Sequence, residues 1–237
     1  MTESTSLEPH QRARQPKQKE QRREAILTAA FEMFIANQNK LPTVAQIASE
    51  CGLAKGTAYL YFETKEAIFL ALYEQQQTAW LQSIEKRLRY SEEDKLQQWQ
   101  EAFLSFREQQ PHLWALAALS YSALEPALKQ NELLAYRART ANRLQHCCRE
   151  LERLLGRSDE RVYPTLLSTI AFTIGQWQQS FPLNSVKSLN QNSAVKQLQP
   201  DFYQSLAAVL PLLWQPLFAR QEQKTPDAKG LSRWFGR

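Results

Sequence analysis

Cysteine is scarce in this chain: Cys51, Cys147 and Cys148 are its only three in 237 residues. An odd, irregularly spaced set argues against a disulfide framework and fits a reducing compartment. Glycine is scarce as well, with six residues, and strand-like alternation of apolar and polar residues hardly occurs, which argues against a β-rich fold. No apolar run approaches the ~20 residues that a membrane span needs. The best stretch, 206–218, is interrupted by Pro211 and Pro216. The N-terminus is polar, unlike a secretory signal. The expectation is a soluble, cytoplasmic protein with no membrane partner.

Catalytic signatures are missing too. His10, His112 and His146 are scattered, and no HExxH, GxSxG, P-loop or dinucleotide fingerprint occurs. This points away from an enzyme, and no cofactor is expected. Cys147 and Cys148 are adjacent, so on a helix they point about 100° apart and cannot face one metal together. They read as buried or half-buried thiols, and no metal site is expected.

What is abundant is helix-forming material. Leu, Ala, Gln, Glu and Arg dominate, and 43% of the chain is hydrophobic, enough for a core. An all-α protein is expected. The net charge of +5 permits nucleic-acid binding without showing it. Its distribution is more informative: between Pro9 and Arg23 lie Arg12, Arg14, Lys17, Lys19, Arg22 and Arg23 against a single acid, Glu20. Residues 1–18 read as a flexible basic arm. Such an arm either reaches the minor groove or flanking phosphates, or serves as a solubilising tail.

Helical spacing then organises the chain. Ile26, Leu27, Ala30, Phe31 and Phe34 mark a first helix over 19–36. Thr43 caps a short second helix, which Gly52 ends in a left-handed conformation with Leu53 packing back. A third short helix runs from about Ala54 or Lys55 to Tyr61. Thr64 caps a long fourth helix to about Arg89. Beyond it, Ser91 and Asp94 resemble a capping box opening a helix through about Gln109, and Pro111 suits another start. A long amphipathic helix is expected over 131–155, closed by Gly156. Another follows over 165–180, then a long loop over 181–199, a last helix over 200–220 and a polar tail over 221–237.

Two short helices joined by a glycine turn match a helix-turn-helix over 43–62. Its second helix would lie in the major groove. Gly56 removes a side chain where DNA must come close, and Lys55 can reach a phosphate. Thr57, Tyr59 and Tyr61 carry hydroxyls for phosphate or base contacts. Ala58 and Phe62, four apart, share the opposite face and pack on the other helices. Lys65 can reach a phosphate beside the free amides that open the fourth helix. Leu60 either reads a thymine methyl or simply packs.

Taken whole, residues 20–80 resemble the DNA-binding domain of the TetR family of transcriptional regulators. Ile26, Ala30 and Phe34 carry the resemblance, with TVAQIASECGLAKGTAYLYFETKEAIFLAL from Thr43 to Leu72. The resemblance implies an all-helical homodimer, each subunit pairing a three-helix DNA-binding head at 19–80 with a larger regulatory and dimerisation body at 81–220. About nine helices are expected. It also implies DNA contacts by Thr43, Lys55, Gly56, Thr57, Tyr59, Tyr61 and Lys65. Gln38 and Asn39 depart from the usual glycine and aromatic, and Ala54 replaces a frequent serine.

The body is rich in aromatics, most of which read as ordinary core. The alternative is an apolar pocket for a small apolar or aromatic effector, drawing on Phe103, Trp114, Tyr121, Arg143, His146 and Trp177. The last two long helices carry apolar stripes, Leu167, Ile170 and Ile174 on one and Leu206, Leu210, Leu213 and Trp214 on the other. Such stripes either fill the monomer core or meet a second subunit. The resulting expectation is a dimeric, ligand-responsive repressor on double-stranded DNA with a palindromic operator. The alternative is a related DNA-binding protein without a small-molecule effector, constitutive or controlled by a protein partner.

Overall fold

The computed structural model of the chain describes residues 9–90, 94–181 and 192–219. Among them all regular structure is helical. Helix α1 spans Pro9–Ala36, so it starts ten residues before the expected Lys19 and takes up much of the supposed flexible arm. Proline at the first helical position has no amide to leave unsatisfied and is already set at a helical φ. Residues 1–8 of the arm lie outside the described residues, as do Ser91 and the tail at 221–237.

Helices α2 (Val44–Glu50) and α3 (Lys55–Tyr59) follow. Between α1 and α2 the chain turns through Gln38 and Asn39, both at positive φ (54° and 66°). These are the positions where the sequence departs from glycine and an aromatic. A left-handed backbone without glycine costs roughly 1–2 kcal/mol per residue. Ile26, Ala30 and Phe34 of α1 close on Val44, Ile47 and Ala48 of α2, all buried.

The long helix α4 (Lys65–Leu88) belongs to both halves of the molecule. Thr64 accepts the Ala67 amide at 3.1 Å to cap it. Glu66 in its first turn and Lys86 and Arg87 in its last complement the helix dipole. The Arg153 guanidinium closes the far end by donating to the Leu88 carbonyl at 2.8 Å. α4 packs on α1 at its start and on the body thereafter.

The body continues with α5 (Lys95–Leu104), α6 (Phe106–Gln109) and α7 (Leu113–Leu119). Asp94 itself caps α5, accepting the Gln97 amide at 2.9 Å, so the cap lies three residues beyond the expected Ser91. A single helix to Gln109 was expected, but the chain breaks at Ser105. After α7 comes a π-helical turn, Ser120–Leu124, and a 3₁₀ turn, Glu125–Ala127.

Helix α8 (Gln130–Leu155) ends at Gly156, whose φ of 73° makes the left-handed cap expected there. Helix α9 (Val162–Ser180) starts three residues early. A short α10 (Ser193–Lys196) interrupts the expected loop, and α11 (Phe202–Phe218) runs through Pro211 and Pro216. Asp201 caps α11, and Arg157 donates to the Leu217 carbonyl near its end at 2.6 Å. α4, α5, α7, α8, α9 and α11 pack around one aromatic core. Trp80, Trp99, Phe103, Phe106, Trp114 and Trp214 are sealed in it and meet mostly edge to face or tilted. Each such burial contributes about 1.5–3 kcal/mol. Two indoles also find acceptors: Trp80 Nε1 donates to the Phe103 carbonyl and Trp214 Nε1 to Thr169 Oγ1, both at 2.9 Å.

This core corrects part of the expected dimer face. Ile170, Leu206, Leu210 and Trp214 are buried within the subunit and are not available to a partner. Leu213 and Ile174 are half-buried, and Leu167 is exposed. An apolar stripe records that a helix face is covered, not which chain covers it.

Candidate functional site

The turn between α2 and α3 is built by a double closure. Thr43 caps α2: its hydroxyl accepts the Gln46 amide at 3.3 Å, and the Gln46 side chain accepts the Thr43 amide at 2.9 Å. At the other end Gly52 sits at φ 65°. Its amide donates to the Ser49 carbonyl at 3.0 Å and the Leu53 amide to the Ala48 carbonyl at 2.8 Å. That 6→1 and 5→2 pattern needs a left-handed residue between them, which glycine adopts without strain.

The closure orients α3 with two opposed faces. Ala58 and Phe62 are buried against the head, as their spacing predicts. Lys55, Gly56, Tyr59 and Leu60 are exposed, and Thr57 and Tyr61 are half-exposed. Leu60 is 79% exposed, so of its two expected roles packing is excluded. The regular helix stops at Tyr59 rather than Tyr61, though Tyr61 and Phe62 amides still donate to the Ala58 carbonyl at 3.0 and 3.1 Å. A Cβ built on Gly56 meets nothing within 4 Å, so no contact within the subunit requires glycine there.

The flanking cations divide. The Lys55 ammonium lies 5.9 Å from the Tyr59 ring centre, and Lys65 is loosely paired with Glu66 at 3.8 Å. Arg23 of the basic stretch stacks over the Phe62 ring at 5.3 Å and pairs with Glu24 at 3.2 Å. It holds the back of α3 in place.

In the body, a cavity of about 420 Å³ opens between α4, the π turn, α8 and α9. Tyr73 and Gln77 of α4 line it, with Tyr121 and Glu125 from the turn region. Tyr136, Arg137 and Leu144 of α8 and Tyr163, Leu167, Ile170 and Ile174 of α9 also line it. The wide π turn displaces the backbone here, as such turns often do at functional sites. Burial pushes the Tyr73 and Tyr136 phenols up, so both stay neutral donors at physiological pH. A larger hollow of about 600 Å³ beside Arg87, Arg107 and Tyr203 is walled mainly by exposed charged side chains, unlike a site that encloses a ligand.

Of the six residues expected at an effector pocket, Tyr121 lines the 420 Å³ cavity. The other five are corrected. Phe103 and Trp114 are sealed in the core. Trp177 packs on Phe181 and Phe202. Arg143 donates to Glu74 at 2.9 Å. His146 is exposed and faces Glu85 at 3.4 Å. Aromatic spacing finds helix faces, and most aromatic faces here are core. Sequence reasoning missed Gln77 and Glu125 because a buried polar residue carries no periodic signal. It placed Leu167, Ile170 and Ile174 on a dimer face although they also line the cavity. Cys147 and Cys148 are buried, and burial raises both thiols, Cys148 to about 11. Among the described residues no cluster of three His, Cys, Asp or Glu side chains could hold a metal ion, and no helix is long and apolar enough to cross a membrane.

A second cleft of about 510 Å³ separates the end of α3 from the body. Tyr59 to Thr64 line it from the head, and Leu128, Lys129, Glu132 and Arg139 line it from the body. Tyr136 lines both this cleft and the cavity. Among the described residues three ion pairs cross the junction: Lys129 with Glu63, and Arg139 and Arg143 with Glu74 of α4 at 2.6 and 2.9 Å. Burial alone would push the Glu74 carboxyl up, but hydrogen bonds from Arg139 and Arg143 outweigh it and hold the group below its ordinary value.

Comparison with known proteins agrees with this geometry. Residues 26–72 match the family model of bacterial regulatory proteins of the tetR family, and residues 74–221 match the Tetracyclin repressor-like C-terminal domain. The Fatty acid metabolism regulator protein of Bacillus subtilis (strain 168) is 33% identical over 73 residues, 31% of this chain and 38% of that protein. The HTH-type transcriptional regulator YvdT of the same organism, uncharacterized, is 37% identical over 79 residues, 33% of this chain and 40% of that protein. The chain thus spans less than half the length of the curated relatives it matches. A solved structure of a protein described as a transcriptional regulator from Pseudomonas aeruginosa PAO1 shares the fold, with a TM-score of 0.53 at 16% identity, covering 84% of this chain and 91% of that one. With an exposed reading face on α3, a helical body and family models matched along both, the chain belongs to the tetR family of DNA-binding transcriptional regulators.

Proposed function

We propose that this regulator is a ligand-responsive repressor that binds a palindromic operator as a homodimer. The observation that carries the reading is the division of α3 into a buried face, Ala58 and Phe62, and an exposed face of Lys55, Gly56, Thr57, Tyr59, Leu60 and Tyr61. Gly56 has open space beside it, which suits close approach of a DNA backbone. Thr43 and Lys65 flank this face and would meet phosphates, Lys65 beside the free amides of α4. Thr43 would do so while its hydroxyl serves the α2 cap.

Two reading heads fit two successive major grooves of a palindrome. The solvent-facing sides of α9 and α11 supply a surface for pairing two subunits. Leu212 of α11 is 69% exposed one turn from exposed Ala208, and Leu167 of α9 is exposed one turn from exposed Ala171. The 420 Å³ cavity is the proposed effector site. Its shared wall, Tyr136, gives an occupant a direct route to the cleft behind α3. An occupant that displaces this ring alters the seat of the head on the body, and its different affinity for the two arrangements sets how far DNA binding shifts.

The test begins with selection of bound sequences from a random DNA pool by the full chain. The enriched sites should be inverted repeats. Titration of the selected site should give a stoichiometry of at least two subunits per site. Enrichment of single half-sites bound by one subunit would overturn the palindromic dimer.

A further inference from the structure

We propose that the cavity takes an organic cation attached to an apolar or aromatic body. The inference rests on the cavity being the effector site and adds the chemical class of its occupant. Three observations converge on that class. The first is a carboxylate held out of water: Glu125 is 4% exposed, at the end of the π turn. Arg137 is its partner, but the Nε and Nη2 contacts both fall on Oε2. Oε1 takes no part in that pair. A buried carboxylate is costly unless its charge is answered.

The second is an acceptor left open. Gln77 is 4% exposed, and one end of its amide bonds the Tyr73 hydroxyl at 3.1 Å. Its Oε1 is buried in the cavity wall without a partner. Such an atom costs about 1–3 kcal/mol until a donor reaches it. The third is aromatic density. Tyr73, Tyr121, Tyr136 and Tyr163 all line the cavity, and π faces attract cations.

The protein already displays how a cation sits there. The Arg137 guanidinium lies over the Tyr121 ring at 5.0 Å while it pairs with Glu125. Yet the Arg137 side chain is 52% exposed, so it leans in from the mouth and can swing back to water. It acts as a tethered stand-in that keeps Glu125 paired while the cavity is empty. A ligand cation that displaces it gains the carboxylate and the ring together, while its apolar part lies against Leu144, Ile170 and Ile174. An anionic ligand would instead meet the Glu125 charge across a desolvated wall.

The test is calorimetric titration of the full chain with three matched probes: 4-phenylbutylguanidinium, its neutral isostere 4-phenylbutylurea, and 5-phenylpentanoate. The guanidinium should bind at least about tenfold tighter than either of the others. Arg137→Ala removes the internal competitor and should tighten guanidinium binding several-fold. Glu125→Gln should abolish the preference over the urea; circular dichroism checks that this variant folds, and Arg137→Ala decides the matter if it does not. Urea or carboxylate binding as tight as guanidinium, weaker guanidinium binding by Arg137→Ala, or no binding of any probe overturns the cation site. Titration of the selected operator with and without the guanidinium separates the two readings. A bound cation that leaves operator affinity unchanged removes the effector role and keeps the cation site. Intact operator binding by a protein that takes no cation removes the cation site and keeps the DNA-binding reading.

Discussion

Lys129, the residue before α8, meets both carboxylate oxygens of Glu63 in the loop after α3, at 2.8 and 2.6 Å. The pair is exposed on both sides, so its contribution to global stability is small. Its place matters more, because Glu63 follows the buried Phe62 that anchors α3 and precedes the cap of α4.

Lys129→Ala is therefore expected to leave the melting midpoint nearly unchanged and to raise amide hydrogen exchange over residues 60–64. Exchange measured by mass spectrometry on the free protein checks this. Identical exchange in both proteins would show that the pair does not tether the head.

Gly56→Ala separates fold from function. Nothing lies within 4 Å of the added Cβ, and the backbone there is ordinary helix. Alanine in place of glycine should stabilise the protein by about 0.5–1 kcal/mol, read as a higher denaturation midpoint. Against the selected operator the same variant should bind about tenfold more weakly, the size of one lost contact. A variant that is more stable and binds equally well would mean that DNA does not approach at this position.

Gln38 holds a left-handed backbone in the turn between α1 and α2. Gln38→Gly relieves the left-handed strain, which stabilises the head, but removes the side chain's own interaction and adds freedom to the unfolded chain, which destabilise it. Denaturant titration gives the sign, and destabilisation would show that the latter two outweigh the strain.

Asp159, between α8 and α9, is pulled down to about 2 by hydrogen bonds from the Arg161 side chain, with further help from the Arg161 amide and the Arg157 charge. A carboxylate depressed by folding stabilises the protein above its unfolded pKa, near 4, and that stability is lost as pH falls through the folded value. The midpoint of the parent protein should therefore drop between pH 4 and pH 2. Asp159→Asn should melt lower at pH 7 and show a shallower drop over that window. Parallel curves for the two proteins would contradict the assignment.

The head was more legible than the body for a physical reason. Gly52, Leu53, Thr43 and Thr64 act through local backbone geometry, and local geometry is written in neighbouring residues. Ala58 and Phe62 follow from helical spacing alone. The body depends on which surfaces meet. Leu206, Leu210 and Trp214 form a stripe that suits a partner subunit as well as a core, and only the packing of α11 on α5 and α9 decides it. Phe103 and Trp114 show the same ambiguity between pocket and core. The start of α1 at Pro9 was hidden because its first two turns are charged and polar. Glu125 was invisible because it owes its place to a π turn, a local widening for which no residue pattern stands.

Tyr136 remains as a single ring serving two hollows, one behind α3 and one within the body. Energetic coupling through such a partition has no preferred direction. If an occupant of the body weakens the operator by some factor, the operator must weaken that occupant by the same factor. The DNA is then as much an effector of the small-molecule site as the reverse, and measuring ligand affinity with the operator bound reports the same coupling constant from the opposite end.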